Sequence, residues 1–156
     1  MKYFTAKLWC ELAHANKDIQ REAERKWHEN SKKYGYYFET IKSHLPKYIL
    51  LALEKTYGFH DYIIDEITLK QNTQKGYVCY LSISNNYKRF QLEMTGITGI
   101  KIDIATFKHC ILGKLLWGYH EFELIGPRTL RLSILCDIEN EMFFEFKKIK
   151  LRETSL

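Results

Sequence analysis

"YGFHDYIIDEI", residues 57–67, marks the point where apolar residues stop recurring at helical spacing and begin to alternate. Upstream, Ile49, Leu50, Leu53 and Tyr57 share one helical face. Pro46 suits the first turn of that helix and Gly58 its end, so the spacing predicts a helix from about Pro46 to Tyr57. Further back, Ile19, Ala23, Trp27, Tyr34, Phe38 and Ile41 form a longer stripe that Asp18 can begin, with Gly35 as an expected break or kink. Thr5 is the expected N-cap of a short helix carrying Leu8, Trp9 and Leu12.

Downstream the period becomes two. Tyr77, Cys79, Leu81 and Ile83 fall on one strand face. Phe90, Leu92 and Met94 share the next, followed by Ile100, Ile102 and Ile104, and then Leu130, Leu132, Ile134 and Cys136. "NTQKG", "SNN", "GITG" and "IGPR" supply turn residues between them. Residues 143–151, "FFEFKKIKL", make a last strand after an acidic turn at Asp137 to Glu141. Strands joined by short turns pair antiparallel, and an apolar sheet face needs a cover. The expected fold is α+β: N-terminal helices packed on a curled antiparallel meander of about six or seven strands. Residues 1–156 read as one domain, helical over 1–58 and β over 59–153.

Composition agrees with a globular chain. Of 156 residues, 46% are hydrophobic, 28% charged and 15% aromatic, a balance that supports a packed core and argues against disorder. No apolar run approaches the roughly 20 residues that span a bilayer, so no membrane association is expected. The opening stretch meets Lys7 and Glu11 before any secretory core develops, which places the expected location in the cytoplasm. Cys10, Cys79, Cys110 and Cys136 show no metal-ligand spacing and are expected to be reduced. Residues 1–60 carry 11 basic against 7 acidic side chains, whereas residues 61–156 carry 13 against 12. Because Glu22, Glu24 and Glu29 are interleaved with Arg21, Arg25 and Lys26, the basic excess reads first as a solvated helix face with local pairs.

Three histidine pairs carry the chemical candidates. His60 and Asp61 open a strand; with His120 they would form a small hydrolytic or metal site if the fold brought them together. His120 shares its strand face with Phe122 and Leu124, whereas Glu121 shares the other with Trp117, Tyr119 and Glu123, so His120 is expected on the apolar side. His109 and Cys110 are neighbours on a strand-like segment, where adjacent side chains diverge. Phosphate loops, nucleophile elbows and zinc-protease motifs are absent from the sequence, and no cofactor or metal is expected. Two surfaces suggest binding. Lys32, Lys33, Tyr34, Tyr36 and Tyr37 mix basic and aromatic groups, as protein interfaces and single-strand nucleic-acid binders both do, although the rings read first as packing the helix layer on the sheet. A free sheet edge can accept a partner's strand.

"MKYFT" with Trp9 and Leu12, "FHDYIIDEITLK", and "LLWGYHEFEL" followed by "RLSILCDIENEMFFEFKKIKL" resemble a bacterial family of small proteins, domain-of-unknown-function family 4085. The helical segment over 13–56 is shorter than the family's. The resemblance implies a bacterial, cytoplasmic protein and brings no activity or catalytic residue. The expected function is a non-catalytic binding module, immunity-like or regulatory, whose partner is another protein or a second copy. The alternatives are the His60, Asp61 and His120 site, and nucleic-acid binding through the basic helices.

Overall fold

A computed structural model describes residues 1–74, 76–102, 114–136 and 140–154. Ile104, His109 and Cys110, and most of the acidic turn from Asp137, lie outside the described residues. Three helices come first: α1 (Ala6–Leu12), α2 (Lys17–Ile41) and α3 (Lys47–Lys55), with single 3-10 turns at Lys42–His44 and Tyr57–Phe59. Nine strand segments follow among the described residues: β1 (Tyr62–Asn72), β2 (Gly76–Ser84), β3 (Arg89–Thr95), β4 (Gly99–Ile102), β5 (Leu116–Trp117), β6 (Tyr119–Gly126), β7 (Thr129–Leu135), β8 (Glu141–Phe146) and β9 (Lys148–Thr154).

The Thr5 hydroxyl accepts the Leu8 N–H and starts α1, as the sequence predicts. Asn16, not Asp18, caps α2. That helix runs unbroken through Gly35, which is exposed with no atom near its missing Cβ, so nothing there forces a kink. On its outer face Arg25 pairs with both Glu22 and Glu29, and Lys26 with Glu22, the local compensation expected of this segment.

The strands form two antiparallel sheets, in the orders β5-β1-β2-β3-β9 and β4-β8-β7-β6. Three strand paths pass from one sheet to the other, bending at Gly96–Thr98, at Gly118 and at Lys147. Followed from neighbour to neighbour, β1, β2, β3 and β9 lead through the Lys147 bend to β8, β7 and β6, and back through Gly118 to β5 and β1. The expected curled meander is therefore two three-stranded meanders closed on each other. Alternation sets the lining: Cys79, Leu81 and Ile83, Leu92 and Met94, Leu132 and Ile134, and Met142, Phe144 and Phe146 are all buried.

Two details depart from the sequence reading. The α3 helix ends at Lys55, where the Thr56 hydroxyl donates to the Ala52 carbonyl, so Tyr57 leaves the buried stripe and is 91% exposed. Trp117 does not share a face with Tyr119. Gly118 breaks the alternation, placing Trp117 inside against Phe59 and His120. A Cβ at Gly118 would stand 2.5 Å from the Trp9 ring and 2.7 Å from the Leu135 carbonyl, so only glycine fits this bend.

Candidate functional site

The stretch that divides the sequence is also the most contorted in backbone. Tyr57, Gly58, Phe59 and Asp61 have φ values of 51°, 70°, 62° and 65°. Each non-glycine residue in this left-handed region costs about 1 kcal/mol or more. Burial offsets it. Phe59 is fully enclosed by Tyr62, Phe90 and Trp117, with ring centroids 5.4–5.5 Å away, while its N–H is capped by Thr56 and the Asp61 N–H donates to the Trp117 carbonyl at 2.8 Å.

The turn separates the two histidines. His120 points inward with Phe122; its ring lies against Trp117 and directly beneath Gly58, where a Cβ would come within 2.7 Å of Cε1. Its Nδ1 accepts from Trp117 Nε1 at 3.4 Å, which suits the neutral ring. Desolvation pushes its pKa down to about 4, against a smaller opposing effect of its hydrogen bond with the Gly58 main chain. His60 lies on the other side, where its Nδ1 sits 3.0 Å from Asp61 Oδ2 and its ring packs edge-on to Tyr119 at 5.0 Å. Neighbours on β6 face opposite ways, so Tyr119 and His120 hold the two imidazoles on opposite faces. No group of three or more His, Cys, Asp or Glu side chains converges among the described residues.

Tyr119 is a meeting point. Phe4, Trp9, Trp27 and His60 all pack on its ring at 4.6–5.8 Å. Beside it the buried Glu121 carboxylate accepts three main-chain N–H groups, from Lys2, Tyr3 and Phe4, at 2.7–2.8 Å. Thus "MKYFT", Trp9, "FHD" and "WGYHE", far apart in sequence, converge on one structural nucleus. Nothing in the sequence marks Glu121 for this role except its place among aromatics on a strand.

The helical binding candidates divide. Tyr34 and Tyr37 turn inward: the Phe122 N–H donates to the Tyr34 hydroxyl at 2.7 Å and the Leu124 N–H to the Tyr37 hydroxyl at 3.0 Å. Burial pushes the Tyr34 pKa upward. These two phenols satisfy the outer edge of β6, the last strand of its sheet. Lys32, Lys33 and Tyr36 face solvent.

A second helix meets a second edge on different terms. The outermost strand β9 lies beside α3, and the Tyr48 hydroxyl donates to the Ile149 carbonyl at 3.4 Å. Since main-chain groups alternate along a strand, the N–H and C=O of Leu151 and Glu153 point to the same side as that carbonyl. A cleft of about 560 Å³ opens there, walled by Leu51 and Lys55 of α3, by Tyr87 and Lys88 of the β2–β3 turn, and by Leu151 and Glu153. A smaller cleft of about 430 Å³ adjoins it, reaching Tyr57, His60 and Asp61. Asn85 builds the turn between them by accepting the Tyr87 and Lys88 N–H groups, which leaves Tyr87 83% exposed. With Tyr48 and Leu51 also exposed, large apolar side chains rim the larger cleft, and exposed Tyr57 stands at the smaller one. Lys88 is tied to Glu153 at 3.0 Å. Sequence alternation could not locate this groove, because it depends on where α3 stops and how the turn before β1 reverses.

No protein-family model, curated protein or solved structure matches the chain.

Proposed function

We propose that this chain is a non-catalytic binding module that contacts another protein through the groove between α3 and β9. The observation that carries the reading is the combination, at one place, of a strand edge with no partner strand among the described residues and a rim of exposed Tyr48, Leu51 and Tyr87. Apolar side chains gathered around a cleft are a recognised mark of interaction surfaces. A bacterial, immunity-like or regulatory role and membership of the "MKYFT" family belong to the same proposal, supported by the convergence of the resembling stretches around Tyr119.

The test is selection from a random peptide library on the full chain, with counter-selection on Leu51→Glu. Leu51 is half exposed on the groove wall, so a charge there blocks apolar contact without entering the core. Clones that bind the wild type and lose at least tenfold in affinity on the variant are expected. Clones that bind both equally would place the contact elsewhere and remove the reading.

A further inference from the structure

The groove has a direction and a charge, and together they define what it can hold. The main-chain groups of Leu151 and Glu153 face the opening, on the side where Tyr48 meets Ile149. An extended segment laid there would continue the sheet beyond β9. Alternate side chains of β9 point the other way: Lys148, Lys150 and Arg152 are exposed on the outer face, and residues 147–154 hold four cations against the single anion Glu153, which Lys88 engages. Glu93 lies 3.6 Å from Arg152, on the neighbouring strand.

Resting on the reading above, we infer that the occupant is an extended acidic segment of a partner protein, added as a strand to β9, with acidic residues outward at alternate positions and apolar residues between them. The outward acids would meet Lys148, Lys150 and Arg152, while the inward apolar residues would meet Tyr48, Leu51 and Leu151. A second copy of this chain is the competing occupant, and charge disfavours it. Antiparallel pairing of two β9 strands about Leu151 sets Lys150 opposite Arg152, and like charges directly opposite are destabilising.

The test titrates the isotopically labelled full chain, observed through its amide resonances, with four capped seven-residue peptides. They are alternating Glu and Val, alternating Lys and Val, and the Glu–Val peptide N-methylated either on every valine or on every glutamate. The Glu–Val peptide is expected to shift the amides of Leu151 and Glu153 and to bind at least tenfold more tightly than the Lys–Val peptide. Of the two methylated forms, one is expected to lose about thirtyfold, the equivalent of two edge hydrogen bonds, and the other to bind like the parent, since only one set of N–H groups faces β9. Equal binding of the acidic and basic peptides, indifference to both methylations, or no shift at Leu151 and Glu153 each overturns the inference. Groove binders recovered from the library whose affinity ignores charge and N-methylation would overturn it while leaving the binding-module reading intact.

Discussion

The two long faces of the helical layer treat strand edges in opposite ways. From α2, two phenols reach the outer edge of β6 and satisfy consecutive outward-facing amides at 2.7 and 3.0 Å. From α3, one phenol reaches β9 over 3.4 Å and takes a single carbonyl. The first edge is sealed under half-buried rings, whereas the second has an exposed tyrosine at its entrance and an open cleft beyond. An edge left open in this way is a liability unless something pairs with it, and the lysines of β9 are one of the usual guards against indiscriminate pairing. Comparison of the two edges therefore separates residues that hold the fold from residues available to a partner.

Substitutions can break that comparison. The largest effect is expected on the sealed side: Glu121→Ala leaves three amides without their acceptor and should cost about 4 kcal/mol in urea unfolding, where Leu51→Glu in the groove should cost under about 1 kcal/mol. Next comes Gly58→Ala, which adds a Cβ into the His120 ring at a φ of +70° and is expected to lower stability by about 2–3 kcal/mol by the same measurement.

Acid should act through the same contact. The folded-state pKa of His120, about 4, is below its ordinary 6.5, so the unfolded chain binds the extra proton first. Stability from this group is complete above pH 6.5 and falls as the pH drops towards 4. The expected loss is about 2 kcal/mol, discounted for the partial exposure of the ring, and His120→Gln should flatten that part of the pH profile. The sharpest contrast is the smallest. Tyr34→Phe is expected to cost about 1.5 kcal/mol and Tyr48→Phe about 0.5 kcal/mol or less, because one removes a short bond's part-buried acceptor and the other a long bond at a half-exposed ring. Equal costs in denaturant melts would abolish the distinction between a sealed and an open edge.

Much of the architecture is legible in the sequence because it depends on local pattern. Thr5 before Leu8 and Trp9 reads as a cap and acts as one. The alternation in 77–83, 90–94 and 130–136 gives strands whose inward residues are those that pack, except Tyr77, which is half exposed. What escapes is decided by bends. Gly118 reverses the face of Trp117, and the reversal at Tyr57–Asp61 ejects Tyr57 from a helical stripe it otherwise completes. His60 and Asp61 read first as a turn whose histidine packs nearby, and as chemistry only if His120 joins them, yet spacing alone cannot tell that His120 lies across the strand from them. Tyr34 and Tyr37 read first as rings packing the helix layer on the sheet, as they do, but their targets, two amides nearly ninety residues away, have no local signature. Glu121 is illegible for the same reason.

The Glu121 clasp has a consequence for the order of events during synthesis. Residues 2–4 leave the ribosome before the carboxylate that receives their amides, which lies 117–119 positions later, and Tyr119, on which Phe4 stacks, is made just before it. Until then residues 2–4 lack their acceptor and Trp9 lacks the Tyr119 ring, while Phe4 has only Trp27 and Tyr34 of α2 to pack on. Their docking is a late, long-range closure that follows translation of most of the strands, and in a nascent chain stalled before residue 119 the Trp9 ring is expected to remain accessible.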